Sequence, residues 1–398
     1  MMGRIVKFEL KKLFGNRTII VMLMLLSLIN IYKIDSEYRK YAIQNESFYN
    51  AHFEIYADVS GAWDNAKIEY VIDEYQTAKA IVDTGNYSTE PNQPDTHTGY
   101  IFGDCGLFEE IKDGMEYMYR YSDTMTELTR KAADNAAFYR QKENAYLAAE
   151  NEKIEKTYQN RSISAFYDTW GLTEYFKYDF STLLILILLV PMLSPIFSKE
   201  REIEMYGLLK ITHNGRKLSL YKLLAGMAAV CIISLFFLLQ DFLTFTYIYK
   251  ISGLSQPIYA LSQFCYSPLT MSVGGYILLN AALKTLGFMI IGGICMAFSA
   301  VFSNEILPFC LSLAVTVIMV VTDAFGVIGG ASFLNPVTLL SNAKLFMDFQ
   351  VIRIFDTPVF KFVLPILAAT LLLIAFSILI IRLGAYSPHR IRRSKHEI

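Results

Sequence analysis

Six long apolar stretches interrupt an otherwise polar chain, and they predict six membrane-spanning helices. Each has about 17 residues or more, the lower length limit for a helix that crosses the hydrocarbon core of a bilayer. Pro191 and Pro195 lie near the end of the second stretch and predict a kink there. The predicted spans cover residues 18–34, 181–197, 219–249, 271–301, 306–322 and 359–381. The pattern predicts an all-α integral membrane protein with six transmembrane helices.

A long segment, residues 36–178, separates the first two spans and is too polar to insert into a membrane. Within it, residues 63–82 and 107–159 lack proline and are rich in good helix formers, so both are predicted to be helical. Residues 83–106 hold Gly, Pro, Asn and Ser and predict an exposed loop. Tyrosines are frequent here, and we expect them to pack between helices with their hydroxyls in water. Examples are Tyr117, Tyr119 and Tyr121.

The charges are divided unevenly along the chain, although the net charge is only −1. Residues 36–179 carry 26 acidic and 14 basic side chains, a balance of −12. The rest carries 11 acidic and 22 basic side chains, a balance of +11. Basic segments are enriched on the cytoplasmic side of a membrane. We therefore expect both termini in the cytoplasm, and the polar segment outside the plasma membrane.

The first residues of the chain mix bases with apolar side chains in a helical pattern. Val6, Leu10, Leu13 and Phe14 fall on one side of a helical wheel, which favours a helix lying in the cytoplasmic interface. An ordinary basic flank before the first span is the alternative.

The predicted parts are an interfacial elbow helix (1–17), span 1 (18–35), an extracellular helical domain (36–178), spans 2–6 (179–382) with a cytoplasmic loop (199–218) and an extracellular segment (323–358), and a basic cytoplasmic tail (383–398).

Glycine and proline shape the last third of the chain. Asn335-Pro336 predicts the start of a short helix within the segment between spans 5 and 6, with a re-entrant path as one possibility. The glycines of span 4 suit close contact between helices. They are Gly274, Gly275, Gly287, Gly292 and Gly293.

Sequence motifs for catalysis are missing. There is no Gly-x-x-x-x-Gly-Lys-Ser/Thr phosphate loop, no His-Glu-x-x-His and no Gly-x-Ser-x-Gly. Asp95-Thr96-His97 would need further convergent ligands to hold a metal. Cys105 and Cys265 would lie on the same side of the membrane, but their spacing gives no support to a disulfide. An intramembrane enzyme is therefore poorly supported, and we predict no catalytic residue, no metal site and no directly bound cofactor.

The most informative segment is the loop after span 2, residues 198–222. Acidic residues come first, Gly207 interrupts the chain, an apolar turn follows, and Asn214-Gly215 predicts a tight turn. This pattern predicts a short helix under the membrane. Such a helix can dock in a groove of a cytoplasmic partner, or it can be a plain interfacial connector.

This loop resembles the equivalent loop of ABC exporter permeases of the six-span, type V class (ABC-2 type). The amphipathic N-terminal helix, the very short turn between spans 4 and 5, and the broken apolar segment before span 6 also fit that family. The polar domain looks like the helical insertion that a subset, common among Gram-positive bacteria, carries after span 1. The matching loop residues are Glu200, Glu204, Gly207, Leu209, Thr212, Arg216 and Lys222.

The resemblance implies a transport subunit without ATPase activity of its own. Two permease subunits, identical or homologous, would form a pathway in the bilayer, lined by spans 2 and 5. Two copies of a separate ABC ATPase subunit would bind ATP and magnesium and would grip the loop. The resemblance implies no nucleic-acid partner.

Two charged residues lie within predicted spans, Asp241 in span 3 and Lys284 in span 4. Charges in hydrocarbon are costly and usually pair or face a polar cavity. They can form a substrate or gating site, or a structural pair with each other, and the pair is the favoured interpretation.

The main hypothesis is a permease that exports a peptide, an antimicrobial or a lipid-like amphipathic molecule. The alternative is a membrane receptor or scaffold, whose acidic outer domain binds a cationic ligand without transporting it. Substitutions in the loop would separate the two hypotheses, because they should stop export and leave ligand binding unchanged.

Overall fold

A computed structural model of the chain describes residues 2–42, 46–85, 87, 93, 95–205, 217–326 and 329–385. Six of its helical segments are long and apolar enough to cross a membrane, which confirms the predicted multi-pass, mostly helical architecture. These segments are Arg17–Lys40, Trp170–Glu202, Leu218–Ile248, Val273–Val301, Ile306–Ala324 and Val363–Leu383.

The described part of the chain consists mainly of helices, with two short antiparallel strand pairs. The helices are α1 (Met2–Phe14), α2 (Arg17–Ala42), α3 (Glu46–Val59), α4 (Asn65–Thr84), α5 (Ile101–Gln141), α6 (Ala145–Tyr158), α7 (Trp170–Lys177), α8 (Phe180–Leu193), α9 (Ser198–Glu202), α10 (Leu218–Ile248), α11 (Val273–Val301), α12 (Ile306–Ala324), α13 (Val337–Leu340), α14 (Ala343–Phe346) and α15 (Val363–Ala385). The antiparallel strand pairs are β1 (Gly61–Ala62) with β2 (Ala165–Phe166), and β3 (Val351–Ile354) with β4 (Thr357–Phe360).

Helix α11 lies at the centre of the bundle and is its most buried span. Its glycines permit the close contacts that the sequence predicted. A Cβ atom at Gly292 would stand 2.9 Å from Val230 of α10 and 3.0 Å from Leu193 of α8. Three helices therefore meet at one backbone position, where the absence of a side chain lets them approach. Helices α2, α12 and α15 expose most of their apolar surface, as expected of helices that face lipid.

The polar domain between the first two spans is built on α5, which packs against α4 and α6. The single helix predicted over residues 107–159 is two helices, because Glu143 adopts a positive φ of 55° and Asn144 caps α6 through its side chain. The predicted loop is shorter than 83–106, since α5 begins at Ile101. The Asp104 carboxylate accepts bonds from the backbone N–H groups of His97 and Thr98, which fixes the chain ahead of the helix.

Buried tyrosines join the polar domain to the loop between α10 and α11. The hydroxyls of Tyr117 and Tyr121 donate to the carbonyl oxygens of Tyr259 (2.8 Å) and Cys265 (3.0 Å). Tyr158 donates in the same way to Tyr266. Burial raises the pKa of all three tyrosines, so they stay protonated donors. The prediction that these hydroxyls lie in water was therefore wrong for these residues; Tyr119 is exposed as expected.

The segment before the last span contains the short helix predicted after Asn335-Pro336, which is α13. The Asn335 side chain accepts the backbone N–H of Val337 and so caps it. The last span begins at Val363 and not at 359, because the residues before it form strand β4. Phe355 and Asp356 both have positive φ and make the tight β3–β4 turn.

Candidate functional site

The predicted coupling loop is flanked by α9 and α10. Of its seven candidate residues, Glu200, Glu204 and Lys222 are described, and Glu204 is exposed with a φ of +58°. The other four lie outside the described residues; they are Gly207, Leu209, Thr212 and Arg216. We call the end of the bundle formed by α1, α9, the first turn of α10 and the 302–305 turn the basic end. The opposite end, which carries the polar domain, is the domain end.

The structure brings two of the predicted residues together. The Lys222 ammonium in α10 lies 2.9 Å from the carboxylate of Glu200 in α9, and both side chains are buried. Lys222 also donates to the carbonyl oxygen of Ile196, at 2.9 Å. Ile196 lies in the turn between the end of α8 at Leu193 and the start of α9 at Ser198, so the lysine also holds the segment that joins these two helices. The pair fixes both flanks of the loop to each other.

Two further charges complete this network, and both come from α1. Glu9 is buried and lies 3.3 Å from the Lys222 ammonium, while Lys12 pairs with Glu200. The four charges sum to zero, as buried ions require. Sequence reasoning found α1 but missed these two residues as part of the site. The one available signal was Glu9, the single acid among five bases before the first span.

Helix α9 is also tied to the turn between α11 and α12. The Ser299 hydroxyl oxygen accepts the backbone N–H groups of Phe197 (2.9 Å) and Ser198 (3.1 Å). Arg201 donates to the carbonyl of Ala300. A Glu202 carboxylate oxygen accepts the backbone N–H of Glu305 at 2.9 Å. The short helix before the loop is therefore bonded to elements from three different parts of the chain.

This arrangement holds α1, α9 and the start of α10 in a fixed geometry. Buried ion pairs with convergent hydrogen bonds hold one geometry, because separating them would leave a charge without a partner in a low-dielectric site. Within the part of the chain that the structure describes, no group of three or more His, Cys, Asp or Glu side chains could hold a metal ion.

A cleft of about 410 Å³ lies between α1 and the end of α8 that contains Pro191. Lys11, Lys12 and Lys199 line it beside Glu9.

The two intramembrane charges form no salt bridge with each other, so the favoured pairing was wrong. Asp241 accepts a bond from the Asn30 amide of α2 at 2.6 Å. Lys284 donates to Asp179, just before α8, at 3.1 Å. The two residues lie on neighbouring helices, but each finds a polar partner on a third segment. The sequence could not show this, since Asn30 and Asp179 carry no pairing signal.

An apolar groove of about 420 Å³ runs between α8 and α12, the helices of spans 2 and 5. Thr316 is its one polar residue, and one wall holds the kink proline Pro191. The remaining lining residues are Met22, Leu183, Leu186, Ile187, Val190, Phe309, Leu313, Val317, Val320 and Val321. The groove is wide enough for an acyl chain or an apolar side chain.

Comparisons with protein-family models, with curated proteins and with solved structures gave no significant match.

Proposed function

We propose that this chain is the permease subunit of an ATP-driven ABC exporter. It would couple ATP hydrolysis by a separate nucleotide-binding subunit to the export of an amphipathic substrate. The observation that carries the proposal is the buried network of Glu9, Lys12, Glu200 and Lys222 at the basic end. This network fixes the two flanks of the loop that resembles an ATPase-coupling loop.

The network gives the loop a mechanical connection to the bundle. A partner that moves the segment after α9 also moves α9 itself, since five residues are too few to bend independently. Through Lys222 that movement reaches the start of α10, and through Ser299 it reaches the end of α11. Between them, these two helices pack against the other four spans, so ATP-driven movement of the loop would reach the whole bundle.

The groove between α8 and α12 supports an amphipathic cargo. Its lining is almost entirely apolar, and it lies on the two spans that the family resemblance assigns to the pathway. A second permease copy facing this groove would enclose it. An apolar groove within the bilayer favours substrates with an acyl chain or an apolar peptide face, because a polar group placed there would have no hydrogen-bond partner.

The first test is copurification from the native host, followed by mass spectrometry and an ATPase assay. We expect a nucleotide-binding subunit in stoichiometric amounts, and its loss in Glu204→Lys and Arg216→Glu. Lys142→Glu, at an exposed site in the polar domain, is the matched charge-reversal control and should retain the subunit. A pure preparation without an ATPase would refute the proposal.

The receptor function remains the second candidate. A cleft of about 490 Å³ lies between α4 and α5 of the polar domain, but Lys112 and Arg120 line it against one acid, Glu116, so the cleft itself does not select a cation. The observation that favours this function is the excess of acids over the whole domain, 26 against 14 bases in residues 36–179, which would attract a cationic peptide. Binding of such a peptide that survives Glu204→Lys, in a protein without an ATPase partner, would support this function over export.

A further inference from the structure

A second, smaller cavity lies at the domain end and differs from the apolar groove in charge. Its volume is about 210 Å³, and it lies between the end of α7, the middle of α11 and the short helices α13 and α14. Three lysines line it, Lys177, Lys284 and Lys344, against one acid, Asp179. The lining therefore carries a net charge of +2. A liquid water molecule takes about 30 Å³, so the cavity has room for a group of several heavy atoms.

The positive charge of this cavity is unusual because one of its lysines, Lys284, is buried within a membrane-spanning helix. Lys284 lies 11 residues into α11, about 16 Å along the helix axis, and its side chain is 8% exposed. Among the described residues it donates a hydrogen bond to Asp179, whose carboxylate is half exposed, and it also interacts electrostatically with Asp241 without a salt bridge. An ammonium group has three donors. A buried cation whose counter-ion reaches towards water leaves donors for a second anionic group.

The other polar groups of the cavity are held in place or carry charge. Asn342 is buried and saturated: its amide donates to Asn280 Oδ1 at 2.8 Å, and its oxygen accepts from the Tyr276 hydroxyl. The side-chain oxygen of Asn280 accepts this bond, so the side-chain N–H groups of Asn280 do not bond to Asn342. Lys344 is exposed and has no ion pair among the described residues. The cavity therefore offers donors from Lys284, Lys344 and Asn280, and one acceptor, Asp179.

The rest of the lining is mostly apolar, with Ser341 as a further polar residue beside Phe176, Leu340, Ala343 and Met347. The cavity also adjoins the helix of the apolar groove. Asp179 is the residue directly before α8, and Leu183, which lines the groove, follows one helical turn later. A charged recognition site and an apolar surface therefore lie along the same helix.

We propose that this cavity binds the phosphate or carboxylate headgroup of an anionic amphiphile, with its apolar part on the lipid-facing surface of α8. This assignment depends on the proposed export function for its meaning, since the amphiphile would be the cargo. It narrows the substrate class from amphipathic molecules in general to anionic ones. Cationic amphiphiles are disfavoured by the +2 lining.

Lipid binding to the purified full-length chain tests the proposal without any transport assay. The probes are phosphatidylglycerol and phosphatidylcholine with the same acyl chains, titrated in neutral detergent and counted by native mass spectrometry, with inorganic phosphate as a third probe. We expect tighter binding of phosphatidylglycerol, weakened about tenfold by Lys344→Gln, since a bond to a charged group contributes more than a neutral one. Lys284→Gln should weaken it further.

Lys361→Gln is the matched control, because Lys361 is an exposed lysine at the same end that does not line the cavity. It should leave phosphatidylglycerol binding unchanged. Lys344→Gln changes only an exposed side chain, so the test holds even if Lys284→Gln fails to fold. Equal binding of the two lipids, or an equal loss in Lys344→Gln and Lys361→Gln, would overturn the proposal. Inorganic phosphate that binds as tightly as phosphatidylglycerol would also overturn it, since a free anion and not an amphiphile would then be the ligand.

The result is separable from the export proposal. A copurifying ATPase together with equal binding of both lipids refutes the cavity assignment alone. Selective phosphatidylglycerol binding that depends on Lys344, without any ATPase partner, refutes the export function and retains the anion site.

Discussion

Replacing Lys222 with methionine tests the buried network most directly, because methionine keeps the length of the side chain and removes the charge. Lys222 has no exposed surface, and it contacts Glu9 at 3.3 Å and Glu200 at 2.9 Å. Without it, two buried carboxylates would share the remaining cation, Lys12, whose side chain is 41% exposed. Removing one partner of a buried ion pair costs about 3–5 kcal/mol. We expect Lys222→Met to lower the free energy of unfolding by that amount.

Two matched controls set the scale. Lys12→Met removes a cation from the same network, but its exposure limits the loss to about 1 kcal/mol or less. Lys199→Met removes an exposed lysine whose nearest acid, Glu305, lies 3.9 Å away, and should have almost no effect. The double variant Lys222→Met/Glu200→Gln leaves Glu9 with Lys12 and restores neutrality. It should therefore be more stable than the sum of the two single changes predicts, by about 0.5–3 kcal/mol.

The assay is equilibrium unfolding in mixed micelles with increasing SDS, followed by tryptophan fluorescence and far-UV circular dichroism. The reasoning fails if Lys222→Met and Lys12→Met differ by less than about 1 kcal/mol, given the difference in their burial. Additive losses in the double variant would refute the pairing with Glu200 in particular.

Other parts of the structure give further predictions. Gly292→Ala should cost about 1–3 kcal/mol in the same assay, because its Cβ would overlap Val230, whereas Gly3→Ala, with nothing within 4 Å, should be neutral. Tyr121→Phe should lower the free energy of unfolding by about 1 kcal/mol and speed amide hydrogen exchange in residues 252–272, because it removes the bond to the Cys265 carbonyl. Unchanged exchange would contradict the attachment of the polar domain to that loop. Tyr119 and Lys199 are exposed and lie at opposite ends of the bundle. In intact cells, and in variants that lack the native cysteines, a membrane-impermeant maleimide should therefore label Tyr119→Cys but not Lys199→Cys. Labelling of both positions, or of Lys199→Cys alone, would contradict the predicted topology.

The spans were predictable because apolar runs of this length have one common explanation, but their ends were not. Helix α2 continues to Ala42, well past the apolar run that ends at residue 34. Ion pairs one turn apart, Lys33 with Glu37 and Asp35 with Arg39, support the polar extension. Hydropathy predicts which residues can lie in lipid, whereas the end of a helix is the point where its backbone hydrogen bonds stop. The boundary of the apolar run and the end of the helix therefore coincide only by chance.

The loop could be selected from sequence, whereas its partners could not. Glu200 and Lys222 were found because they belong to one local pattern, 22 residues apart. Glu9 lies 213 residues from Lys222 in sequence, and nothing local distinguishes it from an ordinary interfacial acid. The same limit explains the wrong pairing of Asp241 with Lys284. Charges identify residues that need partners, but the partner is decided by helix packing.

The hairpin of α10 and α11 connects the two ends of the molecule. At the basic end, Lys222 and Ser299 hold this hairpin to α9; at the domain end, the loop that joins its two helices is bonded to Tyr117 and Tyr121 of the polar domain.

Helix α10 has 31 residues and is about 46 Å long. If it pivots at one end, a tilt of about 5° moves the other end by about 4 Å over that length. A small displacement of the loop would thus move the polar domain as well, because hydrogen-bonded tyrosines connect it to the far end of the same helices. Under the export proposal, the domain would therefore move with each ATPase cycle, and a loosened contact at Tyr121 should separate its movement from that of the bundle.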